Sequence, residues 1–539
     1  MSFLLKSVCR FIIITGSGLF LFCQQPPSSL NNSASPENEI FYHIFVRSFY
    51  DSNGDRHGDL EGIIEKLDYL QELGVTSVLL TPLYSSHFYH NYFPIDFKEI
   101  DREFGTEKTY FELLEKLHER KMKLFMDMEI HYVTEDHIWY KDSFQNPSSE
   151  YSDYILYNGA GNTDPEPMIY DLTELQSYDG KVIKCCTIDL YNEEVREYFY
   201  DLFKYWIDPD GNGNFDDGVD GFRIDHIMDD LDWKGKITNL LGNFWKPLFD
   251  ELREINSDVT IIGEQAEWGY GREYFNKGDM DLLFAFPLRS AIASFDKERI
   301  ISTADSTYMA TPEDKTQLIF IENHDMMRFA TVVESHIDKL KIGAVFNILL
   351  KGVPSIYYGQ EIGMTGTNGF GKYGITDGND IPVRESFEWY KTVYGSGMAL
   401  WYEETGPWWE ETNLKDSDGI SVEEQQSNPS SLWNYYKKLI ALRKTNSAIQ
   451  TGKIQFLKNN NSDVITFLRW DRSQAALIVI NLNNNNEQVE VNISDLPVTF
   501  REKKIRYLFG QDEEKYSQFS EQGIIINLTS YDVQVWRIR

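Results

Sequence analysis

The stretch DGVDGFRIDHIMDD, residues 217–230, holds one short strand, Gly221-Phe222-Arg223-Ile224-Asp225. Side chains alternate across a strand, so Phe222 and Ile224 face one way and Arg223 and Asp225 the other, side by side. A cation and a carboxylate leaving the same face where a strand ends have two readings. One is a structural ion pair. The other is a carboxylate kept ionised by its neighbour and ready to act as a nucleophile. The surrounding sequence has to choose.

Working outward, the strand sits between amphipathic helices. EEVREYFYDLFKYWI (193–207) precedes it, and NFWKPLFDELREI (243–255) follows and leads into the strand VTIIGEQ (259–265). The same alternation runs back to residue 40. IFYHIFV (40–46) is a strand, and Leu60, Ile63, Ile64, Leu67, Leu70 and Leu73 recur at helical spacing. SVLLTPL (77–83) and KLFMDMEI (123–130) are strands, with the helix TYFELLEKLHERKM (109–122) between them. MDLLFAFPL (280–288), TQLIFIEN (316–323) and VPSIYYG (353–359) complete eight strand candidates. Repeated strand–helix units with right-handed crossovers build a parallel sheet, and eight of them close into a (β/α)8 TIM barrel. A doubly wound open sheet would call for a glycine-rich phosphate loop after the first strand, and none is present. Asp127, Asp225, Glu264 and Asn323-His324-Asp325 fall at or just past C-terminal strand ends, the rim where barrels carry chemistry.

Residues 133–186 interrupt the rhythm with a polar, Tyr-, Pro- and Gly-rich insert, read as an inserted loop domain. After residue 448, VITFLRW, ALIVINL, QVEVNI and VQVWRI are short strands between Asn-, Ser- and Gly-rich turns. They are read as a C-terminal antiparallel β-sandwich. The expected organisation is a leader at 1–23, a flexible linker at 24–38, a barrel at 39–132 and 187–447, the insert at 133–186, and a sandwich at 448–539.

Composition bounds the function. The 539 residues, 42% hydrophobic and 14% aromatic, can fill a large core, and 12 Trp and 32 Tyr offer flat rings of the kind that stack on sugars. A net charge of −34 argues against nucleic acid and against an anionic membrane surface. It suits a neutral substrate, with room for cation sites. The four cysteines, Cys9, Cys23, Cys185 and Cys186, show no disulfide framework and no zinc spacing. Lys6 and Arg10 precede an apolar run, Phe11 to Phe22, that is too short to span a membrane and has the shape of a signal peptide. Cys23 ends it, before a polar leash. Export to the cell envelope is expected. Whether Cys23 is acylated as a lipid anchor, or is incidental to a plain signal peptide, stays open: Phe22 stands where lipoproteins usually have a small residue. Oligomeric state is not readable.

From residue 40 onward the chain resembles the α-amylase superfamily of glycoside hydrolases. GFRID looks like its nucleophile strand, IIGEQ its acid/base strand, and FIENHD the strand with its third carboxylate. GVPSIYYGQEIGM looks like its eighth strand and loop, and HNYFPIDF like its sugar-stacking segment. The resemblance implies that Asp225 is the nucleophile, Glu264 the general acid and then base, and Asp325 the group gripping the sugar hydroxyls. It also implies a substrate-binding set of Arg223, His324, Tyr92 and Asp127, with Tyr92 stacking on the sugar and Arg223 holding Asp225 ionised. Retaining hydrolysis needs one carboxyl charged and its partner protonated at the same pH. A guanidinium beside Asp225 and none beside Glu264 is the expected source of that split.

The implied activity is retaining hydrolysis of α-1,4 bonds in starch or maltodextrins. Alternatives of the same fold are an oligo-1,6-glucosidase, an α-glucosidase or a transglycosylase. A catalytically inactive glucan-binding relative should have lost one of the three carboxylates, and all three are here. Two departures matter. The third-strand motif has His131 and Tyr132 where the family has Asn and His, which puts the usual calcium site in doubt. His226 follows the nucleophile, at a position that helps separate α-1,4 from α-1,6 preference in relatives.

DSNGDRHGD (51–59) spaces Asp51, Asn53, Asp55 and Asp59 as a turn able to wrap a hard cation, with the His57 carbonyl as a further ligand, so structural calcium is expected there. DPDGNGNFDDG (208–218) repeats the pattern without the glutamate that closes an EF-hand. It is open between a second calcium loop and a solvated turn. Trp408-Trp409 is open between a sugar platform and core, and Cys185-Cys186 is read as buried packing.

Overall fold

The computed structural model describes residues 36–492, 495–497, 500, 505–510, 518–519 and 523–538. The expected leader and most of the expected linker, with Cys9 and Cys23, lie outside the described residues.

Eight strands form a closed parallel barrel: β1 (Phe41–Ile44), β2 (Ser77–Leu80), β3 (Lys123–Met128), β4 (Gly221–Ile227), β5 (Thr260–Gln265), β6 (Leu282–Phe284), β7 (Thr316–Ile319) and β8 (Val353–Tyr357). Each pairs with its neighbours in sequence order, and β8 closes on β1 through Phe41↔Ser355. Alternation divides each strand between two environments. Phe41, Leu79, Phe125, Ile262, Leu282, Phe284, Leu318 and Val353 pack together as the barrel's interior plug. Tyr42, Ile44, Val78, Leu80, Leu124, Phe222, Ile224 and Ile261 pack outward in the larger core with the helices.

The helix Glu193–Ile207 shows why the shell forms where it does. Asn192 caps it, accepting from Glu194 N and Val195 N, and two acids sit in its first turn, where they complement the helix dipole. Val195, Phe199, Leu202, Phe203 and Trp206 line its buried stripe, and the Phe203 ring meets Phe222 of β4 at 4.6 Å, edge to face. Each such ring contributes roughly 1.5–3 kcal/mol of burial.

The insert carries a small antiparallel sheet of Tyr132–Thr134, Val182–Thr187 and Glu174–Gln176. It has its own apolar cluster, in which Cys185 packs with Phe88, Tyr132, Met168 and Ile183. Both Cys185 and Cys186 are buried and free, and burial pushes both thiols up, as inert packing requires. The C-terminal region is a five-stranded antiparallel sheet facing a three-stranded one, with Val464, Leu477, Val489, Val491, Ile524 and Ile526 between them. Arg469, fully buried, ties this region to the barrel shell. Its guanidinium donates to Leu349 O (2.9 Å), Leu350 O (2.7 Å) and Gly452 O (3.0 Å), satisfying carbonyls that end the helix Ile337–Leu349.

Candidate active site

The sequence-predicted carboxylates converge at the C-terminal mouth of the barrel, around a cavity of about 590 Å3 whose lining includes Asp225, Glu264, Asp325, His324 and Tyr92. A bulge aims them. Ile224 pairs with Gly263 and Ile227 with Gln265, so Asp225 and His226 on β4 face only Glu264 on β5. His226 takes φ +48°, a left-handed conformation that costs a non-glycine residue about 1 kcal/mol or more. The bulge turns β4 as it leaves the barrel, as bulges next to active sites commonly do.

Arg223 lies fully buried beneath this mouth. Its Nη1 donates to Asp127 Oδ1 (2.7 Å) and Oδ2 (2.8 Å) and to Asp225 Oδ1, and its Nη2 reaches Glu264 Oε2 at 2.5 Å. One guanidinium therefore serves three carboxyl groups on three adjacent strands. This corrects the expectation that the cation stands beside Asp225 and away from Glu264. A planar fork with donors on two sides reaches both neighbouring strands at once.

The two groups are still split, by their other surroundings. Burial would raise Asp225, but the Arg223 guanidinium against it holds it well below the usual carboxylate range. Burial pushes Glu264 well up against the pull of Arg223, and the charges of Asp225 and Asp325 push the same way. The shared guanidinium therefore holds one carboxyl that favours its proton and one that favours its charge. Burial also raises Asp127, to about 7 despite Arg223.

Tyr92 and His324 form one wall. Tyr92 Oη donates to Asp127 Oδ2 (2.7 Å) and lies 2.8 Å from His324 Nε2, with the two rings stacked at 5.4 Å. His324 Nε2 is also 3.2 Å from Asp325 Oδ2. Burial and the nearby Arg384 keep this imidazole neutral, well below its usual pKa. Arg384 pins the third carboxylate, with Nη2 3.0 Å from Asp325 Oδ1 and Nε 2.9 Å from His324 O.

Several groups here were missed in the sequence. Glu129 lines the cavity with Asp225, and it was readable: two residues after Asp127 and just past the end of β3, it continues the same alternation. Asp377 also lines the cavity, and neither of its buried carboxylate oxygens accepts a hydrogen bond. No local pattern announces Asp377 or Arg384, which arrive on a long loop after β8. Trp268 lies at the rim, 41% exposed, its inner face stacked on Phe286 at 4.6 Å and 2°. Such a backed, open ring suits a sugar face. Trp408 is buried, with Gly378 and Gly406 against its ring, so the core reading holds for it.

The candidate cation loops behave differently. Asp51 accepts from the N–H groups of Asn53, Gly54 and Arg56, and Asp59 caps the helix Leu60–Glu65 through Gly62 N while accepting twice from Ser52. Asn53 and Asp55 accept from the N–H groups of Asp55 and His57. Among the described residues, only Asp208, Asp210 and Asp217 bring three acidic oxygens within 4.8 Å of one another. The Asp51 loop does not.

The family model described as "Alpha amylase, catalytic domain" matches residues 43–452. Alpha-amylase 3 of Dictyoglomus thermophilum is 30% identical over 489 residues, covering 89% of this chain and 90% of that protein. A probable oligo-1,6-glucosidase of Bacillus subtilis is 28% identical, covering 83% and 90%. The crystal structure of an alpha-amylase from H. orenii superposes with a TM-score of 0.76 at 28% identity, over 93% of this chain and 99% of that one.

Proposed function

Because the chain belongs to the α-amylase family of glycoside hydrolases, we propose that it is a retaining enzyme acting on α-1,4 bonds of starch-like glucans or maltodextrins. The observation that carries the reading is that Asp225 and Glu264 share one guanidinium at the barrel mouth, with surroundings that lower the pKa of the first and raise that of the second. Retaining enzymes hold their two carboxyls about 5 Å apart, and inverting ones leave about 6.5–9.5 Å for a water. Two carboxyls on the neighbouring nitrogens of one guanidinium leave little room for such a gap, which supports retention.

In this reading Asp225 attacks the anomeric carbon while Glu264 gives its proton to the departing glycosidic oxygen. The sugar is then an ester of Asp225, and Glu264 is a carboxylate. Glu264 next takes a proton from water, which attacks the same carbon and releases Asp225. Asp325, held by Arg384, grips hydroxyls as the ring flattens. The rival, α-1,6 cleavage, is favoured by relatives named oligo-1,6-glucosidase.

Products from maltoheptaose, panose and pullulan separate the two, with NMR of the first product formed. We expect α-anomeric maltooligosaccharides from maltoheptaose and slow attack on panose. Maltose with glucose from panose, and no attack on maltoheptaose, would overturn the bond assignment, and a β-anomer formed first would overturn retention. The reading keeps calcium as a structural ion. Chelation should then lower the melting temperature, by a margin set by calcium's affinity for the folded chain. A melting temperature indifferent to chelator and to added calcium removes calcium from the proposal.

A further inference from the structure

The mouth of the barrel holds a carboxyl group that the reaction as described does not use. Glu129 follows the end of β3, is 1% exposed, and lines the cavity with Asp225 and Glu264. One of its oxygens, Oε1, accepts from His131 N and lies 2.7 Å from His131 Nδ1. The other, Oε2, is buried and meets no N–H or hydroxyl donor. It opens on the same cavity as Asp225, which is already held by Arg223. A buried carboxyl group with no cation of its own, set beside a carboxylate that has one, keeps its proton, and Asp225 is the acceptor available to it there.

We propose that Glu129 is a positioning residue for the nucleophile: its carboxylic O–H donates to Asp225, fixes the attacking carboxylate, and eases its departure when the glycosyl ester is hydrolysed. The inference rests on the hydrolase reading above and deepens it. Glu129 faces Asp225 on β4, Asp232 in the turn 231–233, Tyr84 on the strand Tyr84–Ser86, and His131 and Tyr132 beside it in the chain; His226 lies against Asp225 and His131. Among these groups only His131 and His226 could offer a positive charge, and burial lowers both. The His131 pKa falls to about 4, so its Nδ1–H donates from a neutral ring. Burial first, then the charge of Asp225, holds the Glu129 proton on well above the usual carboxyl range. A charge-assisted hydrogen bond of this kind is worth roughly 1.5–3 kcal/mol, or about 10- to 100-fold in rate.

The test uses α-maltosyl fluoride, whose leaving group needs no acid, in a Glu264→Gln background where Glu264 no longer titrates. Fluoride release gives kcat/KM against pH for Glu264→Gln alone and with Glu129→Gln or Glu129→Leu. Gln keeps a donor at every pH, and Leu keeps none. We expect Glu129→Leu to lower kcat/KM about 10-fold or more, Glu129→Gln to recover most of that loss, and the alkaline fall of Glu264→Gln to move up or vanish with Glu129→Gln. Equal losses for Gln and Leu, or an unmoved alkaline limb in the Gln variant, would overturn the proposal. If the Leu variant fails to fold, the Gln pH profile decides alone. A wild-type chain inert on both maltoheptaose and the fluoride would instead sink the hydrolase reading.

Discussion

Asp225→Asn is expected to cut starch hydrolysis on the order of 10^4-fold, the scale on which loss of a covalent nucleophile is felt when binding and the remaining groups stay in place. The amide has nearly the shape of the carboxylate and still fills the space over Arg223 Nη1, but it cannot form the glycosyl ester. Arg223 keeps Asp127 and Glu264 as partners, so the fold should survive. The variant also bears on stability against pH. Asp225 has a folded pKa below its unfolded value. Its contribution is therefore complete above about pH 3.9, the ordinary aspartate value, and is lost as pH falls through the lower folded value. The melting temperatures of wild type and variant should thus converge on acidification and stay apart at neutral pH. Reducing-sugar release from soluble starch and thermal unfolding between pH 2 and 7 check both statements. More than a tenth of wild-type activity in the variant would remove Asp225 from the nucleophile's role.

Much of this was legible because barrel strands are short, apolar and evenly interleaved with amphipathic helices. IFYHIFV, SVLLTPL and VTIIGEQ contain β1, β2 and β5. Alternation alone sets Arg223 beside Asp225, and the same rule sets Asp127 beside Glu129. What alternation cannot give is register between strands far apart in the chain. Arg223 pairs with Asp127 across β3 and β4 and with Ile262 across β4 and β5. That placement brings a second carboxylate and the acid/base within reach of one guanidinium. The bulge at Asp225-His226 was hidden for a related reason: no glycine marks it, and tertiary packing holds His226 at a positive φ. Trp408 was ambiguous because its burial depends on Gly378 and Gly406, which leave room for the ring from 30 residues upstream and from two residues before it.

Glu264→Gln should lower kcat on maltooligosaccharides roughly 10^2- to 10^4-fold, the range for a positioned general acid, and spare the first step on α-maltosyl fluoride. The pH profile gives the sign. Burial and the charges of Asp225 and Asp325 raise the Glu264 pKa well above the ordinary glutamate value of about 4.3. Glu264 therefore stays protonated past the point where a free glutamate would ionise, and wild-type kcat/KM on maltooligosaccharides should fall only as pH climbs through that higher value. Replacing it with Gln should abolish this limb on the fluoride, apart from any fall owed to Glu129. With the base gone, the glycosyl ester on Asp225 waits for a nucleophile that needs no deprotonation. Azide is one, and should restore turnover of the fluoride. It must approach from the face that water would have used, because Asp225 covers the other. The azide product should then carry the α configuration of the substrate, which NMR reads directly. A β-glycosyl azide would mean that azide displaced fluoride without an enzyme-bound ester, and that Asp225 and Glu264 on their shared guanidinium are not a double-displacement site.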